Sequence, residues 1–189
     1  MGRWEPDAQG RLRRAALDLY TERGFEQTTV ADIAARVGVT ERTFFRYFAD
    51  KREVLFEGSQ RLQDHVVAVI SAAPDALSPF DTVAEAVVGL GALLPEVDYA
   101  RRRWAAISAN SSLQERELLK MSALGAAMAA ALRARGVPPS VATLAAESGV
   151  TAFRVGYERW IDADEAGDAD LTACIAASID ELRDLTRTG

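Results

Sequence analysis

The chain of 189 residues has one cysteine, Cys174, and one histidine, His65. A single cysteine excludes an internal disulfide framework and suits a reducing cytoplasm. One histidine and one cysteine are too few for a zinc site built from the usual nitrogen and sulfur ligands. No arrangement of nucleophile, base and orienting acid surrounds either residue in the sequence, so nothing points to catalysis. His65 reads as a structural or solvated side chain, and Cys174 as a small buried apolar residue of the last helix. Long hydrophobic runs are also missing. The most apolar stretch, 83–94, is broken by charge and glycine and falls short of the ~20 residues a membrane span needs. The first residues are polar, with Arg3, Glu5, Asp7, Arg11, Arg13 and Arg14, unlike a secretory leader. Sustained period-2 alternation and Asn-Gly or Asp-Gly turns are absent, which argues against strands. The expectation is a cytoplasmic, all-α protein with no catalytic residues, metal, cofactor or membrane association.

What is present is enough apolar material for a core: 49% of residues are hydrophobic and 26% charged. The net charge of −6 hides an asymmetry. Residues 1–61 carry 11 basic against 10 acidic side chains, whereas residues 62–189 carry 11 against 18. Between 36 and 52 stand Arg36, Arg42, Arg46, Lys51 and Arg52, opposed only by Glu41 and Asp50. An acidic body with a small basic front is compatible with an anionic partner at one end. The acidic run Asp162, Asp164, Glu165, Asp168 and Asp170 lacks the spacing and distal Glu of an EF-hand, and reads as a solvated loop or helix caps.

Apolar periodicity predicts about nine helices. Pro6-Asp7 opens the first, with Leu12, Ala15, Ala16, Leu19 and Tyr20 on one face and Gly24 as its stop. Thr29 caps a second, short helix in a capping box with Asp32; Gly38 ends it. Thr40 caps a third, from Glu41 to about Tyr47. Asp50, boxed with Glu53, opens a long fourth helix over 51–72 that halts before Pro74. Further helices are expected over 79–94, closed by Pro95, then 98–110, 113–135, 140–163 and 171–186. There is no internal repeat.

The stretch VADIAARVGVTERTFFRYF, residues 30–48, sets two short helices around Gly38-Val39-Thr40. This matches a helix-turn-helix. Glycine supplies the positive φ, Val39 plugs between the helices, and Thr40 caps the second helix and leaves its amide groups outward, where they attract phosphate. In such units the second helix enters the major groove by its N-terminal residues, here Thr40, Glu41, Arg42 and Thr43. Arg42 can pair bidentately with guanine. Phe44 and Phe48 share a face and are expected in the core, with Phe45 and Tyr47 toward the rim.

TTVADIAARVGVTERTFFRYFADKREVL, residues 28–55, resembles the DNA-binding domain of the TetR family of bacterial transcriptional regulators, and AALDLYTERGFEQT before it resembles that family's first helix. The resemblance covers about residues 8–56. It implies a homodimer on a pseudo-palindromic operator, usually a repressor, with a C-terminal bundle that holds a small-molecule effector and the dimer interface. The implied division is 1–50 for the helix-turn-helix domain and 51–189 for effector binding and dimerisation, with the fourth helix as connector. The resemblance also implies that Thr28 and Thr29 touch the DNA backbone. It places Thr40, Arg42 and Thr43 on the base- and phosphate-facing surface, and makes Lys51 the phosphate-contacting lysine. Glu41, Arg46 and Tyr47 lie on the same front. Two positions depart from the family pattern: Arg42 stands where glycine is frequent, and Phe45 where a tyrosine hydroxyl meets a phosphate.

The remaining residues carry no comparable motif. Arg103, with Arg101 and Arg102, forms a surface cluster or an anion-binding group. Trp104, Met121, Met128, Phe153, Tyr157 and Trp160 are side chains that line pockets or ordinary bundle cores. Together with Arg103 they form a candidate effector site, and Tyr157 and Trp160, with Arg154, equally suit a dimer contact. Beside the regulator, two rivals stand: an enzyme on a helical bundle, for which convergent acids, bases or nucleophiles are lacking, and a helical interaction protein that binds a protein partner in place of DNA.

Overall fold

Nine α-helices and two 3-10 segments make up the described part of the computed structural model, residues 7–94, 96–163 and 170–187. They are α1 (Ala8–Arg23), α2 (Val30–Arg36), α3 (Glu41–Tyr47), a 3-10 turn (Glu53–Phe56), α4 (Ser59–Ala72), α5 (Pro79–Val88), a second 3-10 segment (Gly89–Leu93), α6 (Val97–Ser108), α7 (Ser111–Ala134), α8 (Pro139–Asp162) and α9 (Leu171–Arg187). There is no strand among the described residues. Pro6, Pro95, Asp164, Glu165 and Asp168, for which roles as helix opener, helix stop and acidic loop were expected, lie outside the described residues.

Two elements differ from the sequence expectation. The long fourth helix over 51–72 is broken. Asp50 does cap a turn, accepting from the amides of Arg52 at 2.7 Å and Glu53 at 3.1 Å, but that turn is 3-10 and stops at Phe56. Val54, Leu55 and Phe56 are all buried, and three consecutive buried residues cannot share the one face an amphipathic α-helix offers. Gly58, at φ 91°, then restarts the chain as α4. Similarly, the helix over 79–94 is α-helical only to Val88 and tightens into a 3-10 segment to Leu93.

The chain forms two compact units. One contains residues 1–57 and 98–118, the other 58–97 and 119–189. By packing, residues 51–57 and 98–118 therefore go with the first unit, whereas the 1–50 and 51–189 division puts them with the second.

In the first unit α1 supplies Leu12, Ala16, Leu17, Leu19 and Tyr20 to a core shared with Ile33 of α2, Phe44 of α3, the 3-10 turn, and Ile107 and Leu113. Arg103 of α6 ties this unit together. Its guanidinium donates to Glu117 at 2.7 Å and to the Leu55 carbonyl at 2.7 Å, and lies 5.1 Å from the Phe56 ring centre.

In the second unit α5 is the central helix, touching α4, α8 and α9. Its Val83, Ala84, Ala86 and Val87 are all buried. α8 lays Gly149 against Val83 and Val87 of α5, and its buried residues run from the small Ala142, Ala145 and Ala146 to the larger Phe153, Tyr157 and Trp160. α9 follows the helical period with Leu171, Ile175, Ser178 and Ile179 inward. Arg135 closes the C-terminal end of α4, donating to the carbonyls of Ile70 at 3.0 Å and Ala73 at 2.6 Å.

The close approach of α8 and α9 rests on Gly156. A Cβ there would come 2.7 Å from the Cα of Ile175, a backbone atom that cannot swing away. At Gly125 a Cβ would instead meet the flexible Glu147 carboxylate at 3.0 Å. Gly156→Ala is therefore expected to lower the unfolding free energy by about 1–3 kcal/mol, and Gly125→Ala by clearly less. Thermal denaturation of both variants checks this; equal midpoints would show that the helices separate without cost.

Candidate nucleic-acid interface

The first unit builds its helix-turn-helix from local hydrogen bonds. At the start of α2, Thr29 Oγ1 accepts from the Asp32 amide at 3.1 Å, and the Asp32 carboxylate accepts from the Thr29 amide at 2.9 Å, a complete capping box. The Thr29 amide and hydroxyl, with Arg23 nearby, hold the Asp32 carboxyl below the usual carboxylate range. α2 ends as Gly38 turns to φ 72°, and the Val39 amide donates back to Ala34 O at 3.0 Å. Val39 packs against the core. Thr40 then caps α3, accepting from the Thr43 amide at 3.2 Å, with the two hydroxyls 3.1 Å apart.

α3 has seven residues and two faces. Phe44 is 0% exposed and the following Phe48 is buried beside it, ring centres 5.3 Å apart. Burying position 44 puts positions 42 and 46 on the opposite side of the helix and position 45 at its flank. Glu41, Arg42, Phe45 and Arg46 are exposed, as is Tyr47. Thr40, Arg42, Thr43, Phe45 and Arg46 line one shallow concavity.

The basic front is smaller than the sequence count. Arg36 forms a two-pronged pair with Glu22 of α1, at 3.1 and 2.7 Å, and its fork holds Glu22 below the usual carboxylate range. Arg52 pairs with Asp50 at 2.8 Å. Burial pushes the Asp50 carboxyl up, but Arg52 and the amides of Glu53 and Arg52 outweigh it and hold that carboxyl low. Arg42 and Arg46 remain without a carboxylate partner among the described residues. The Arg46 guanidinium donates to the Tyr47 hydroxyl at 2.9 Å and lies 4.8 Å from that ring's centre.

Two residues expected to contact DNA are turned inward. Thr28 is 0% exposed, and its hydroxyl donates to Gly24 O at 2.8 Å. It stabilises the α1–α2 turn and presents nothing to a phosphate. Lys51 is half-buried. Its ammonium donates to the carbonyls of Phe25 at 2.9 Å and Thr28 at 3.0 Å and lies 4.2 Å from the centre of the Phe25 ring. The Lys51 carbonyl accepts from the buried Tyr20 hydroxyl at 2.5 Å. Burial, with the Asp50 charge second, pushes that phenol well above its ordinary value, so it stays a donor. Lys51 thus clamps the turn that leads into Thr29. The sequence holds no signal for this, because the acceptors are carbonyls at least 23 positions away.

The candidate effector residues separate. Arg103 and Trp104 belong to the first unit, and Met121, Met128, Phe153, Tyr157 and Trp160 to the second. Arg103 is engaged by Glu117 and Leu55 as described, and Arg102 pairs with Asp18. Met121 is half-buried. Met128 is fully buried. Phe153, Tyr157 and Trp160 form a buried row on α8, with successive ring centres 6.1 and 5.8 Å apart. Among the described residues, no three His, Cys, Asp or Glu side chains group to hold a metal ion, and no helix is long and apolar enough to cross a membrane.

Residues 12–57 match the profile of the bacterial regulatory proteins of the tetR family. By this domain the chain is similar to the TetR family. It is 37% identical over 75 residues to the HTH-type transcriptional regulator TcmR of Streptomyces glaucescens, a match that takes in 40% of this chain and 33% of that one. The similarity thus spans about a third of the length of this curated relative. The fold likeness extends further. A TetR-family regulator from Syntrophomonas wolfei superposes with a TM-score of 0.63 at 15% identity, over 94% of this chain and 93% of the other. The TetR-family repressor FadR of Thermus thermophilus, solved with lauroyl-CoA, superposes with a TM-score of 0.51 at 24% identity, over 93% of each chain. The helix-turn-helix therefore sits in a chain whose helical fold is like that of these solved proteins.

Two outcomes test the geometry of this domain. Lys51→Met is expected to reduce stability by on the order of 1–3 kcal/mol, since it leaves turn carbonyls without their charged donor. Arg42→Ala, at an exposed position, should change it by less than ~0.5 kcal/mol; equal denaturation midpoints would show that the ammonium does not hold the turn. The Asp32 box has a pH signature. Its folded pKa lies below the ordinary ~3.9 of aspartate. Its contribution is therefore fully present above that range and lost as pH falls through the lowered value. Asp32→Asn should be less stable than the parent near pH ~6, with the gap closing toward pH ~2, as followed by circular dichroism.

Proposed function

We propose that the protein is a ligand-responsive transcriptional regulator, a repressor that binds a pseudo-palindromic operator as a homodimer in the cytoplasm. The observation that carries this reading is the outward face of α3. On a helix-turn-helix of a TetR-type domain, the two arginines without carboxylate partners, Arg42 and Arg46, stand beside Thr40, Thr43 and Phe45. Such a face offers hydrogen-bond donors to base edges and positive charge to phosphates. Thr29, Thr40, Thr43 and Tyr47 supply further polar contacts, and Lys51 acts through the turn it clamps. Two α3 helices from two protomers would enter successive major grooves ~34–36 Å apart.

The second unit, residues 58–97 and 119–189, is the effector and dimer domain in this reading. Its aromatic row on α8 suits an apolar ligand. An effector would release the operator only by binding one dimer shape better than the other. The regulator family, and the lack of any convergent acid, base and nucleophile set in the sequence, support a non-enzymatic role.

Selection of bound duplexes from a random DNA pool tests the proposal. A two-fold symmetric consensus is expected, with affinity falling steeply as salt rises. Arg42→Ala should relax preference at one position by about 1–3 kcal/mol without abolishing binding. A folded dimer that enriches no sequence would overturn the regulator reading in favour of a protein-binding role.

A further inference from the structure

Phe45 is the largest apolar side chain on the outward face of α3 and is 53% exposed. Its ring is held rather than loose. It meets the buried Phe44 ring edge-on, with centres 5.5 Å apart and planes at 85°. Thr40 and Thr43 line the same concavity, and Arg42 and Arg46 flank it. The face is thus a small apolar patch bordered by two guanidinium groups. A phenyl ring neither donates nor accepts a conventional hydrogen bond, so it cannot read a base by the donor and acceptor code. In the major groove the one apolar feature of an unmodified base pair is the 5-methyl group of thymine. The position of Phe45, one helical turn beyond Arg42, brings it to a base pair adjacent to the one Arg42 reaches.

We propose that Phe45 is a specificity-determining residue that selects a thymine in each half-site through its 5-methyl group. This rests on the DNA-binding reading above. Contact with the methyl removes apolar surface of both partners from water, while the flanking arginines hold the helix against the duplex. Cytosine at that position presents no methyl and is disfavoured for that reason, not through a lost hydrogen bond.

The test uses the full-length protein and the operator recovered by selection. Each thymine is replaced in turn by deoxyuridine, which removes the methyl group and leaves every hydrogen-bonding atom in place. One thymine per half-site is expected to be sensitive, with affinity falling about fourfold, from ~0.8 kcal/mol per buried carbon at 1.4 kcal/mol per tenfold. In Phe45→Ala, verified as folded by circular dichroism, thymine and deoxyuridine should bind alike at that position. Phe45→Leu, which keeps an apolar contact, should retain part of the difference. Cytosine and 5-methylcytosine at the same position should differ in the same direction for the parent protein alone. If no thymine is sensitive, or the sensitivity persists unchanged in Phe45→Ala, the inference is overturned while the regulator reading stands. If no duplex is enriched at all, both fall.

Discussion

A helix of seven residues does not hold its shape in water, because too few hydrogen bonds offset the cost of nucleation. α3 exists because Phe44 and Phe48 are buried against α1, α2 and the 3-10 turn. That burial decides everything the helix shows. With position 44 inward, positions 42 and 46 fall on the opposite, outward side and position 45 at the flank. The same constraint explains why so many aromatics are gathered in one short stretch: a small unit needs large side chains inside, and beside Tyr47 the ring of Phe45 remains over the rim. Its exposure follows from the phase of the helix.

Charge is organised by the same economy of space. A row of basic residues along 36–52 suggests a broad cationic surface, yet three of the five are engaged within the unit. Glu22 takes Arg36 and Asp50 takes Arg52. Main-chain carbonyls take Lys51. Exposed pairs of this kind add little stability, but they determine which cations remain for an outside partner. Those are Arg42 and Arg46, both on α3. A surface with two arginines without carboxylate partners beside an apolar ring is suited to discriminating a groove more than to binding polyanions at large.

The second unit follows a different logic. Its helices are brought close by small residues: Gly149 lies against Val83 and Val87, and Gly156 against the backbone of Ile175. Close backbones leave little room near those points, and the large side chains of α8, Phe153, Tyr157 and Trp160, lie on either side of Gly156.

Much of the fold was legible in the sequence, because caps and apolar periods are local. Thr29 with Asp32, Thr40 with Thr43, and Gly38 between them are signals three to five residues apart, and the helices they bound are those observed. The apolar stripes of α1 and the inward place of Phe44 and Phe48 were readable for the same reason. What the sequence could not disclose depends on residues far away along the chain. Thr28 looks like a surface threonine until Gly24 and Leu19 are seen to accept its hydroxyl. Lys51 looks like a phosphate contact until Phe25 and Thr28 carbonyls are found beneath it. Arg103 looks like a ligand-binding cation until Glu117 and Leu55 surround it. By itself the sequence determined most of the helical segments and where the helix-turn-helix lies, though not the 3-10 breaks before α4 and after α5. Only the tertiary structure decided which of those polar groups remain free to act, because burial and pairing are properties of neighbours brought together by packing and leave no trace in local order along the chain.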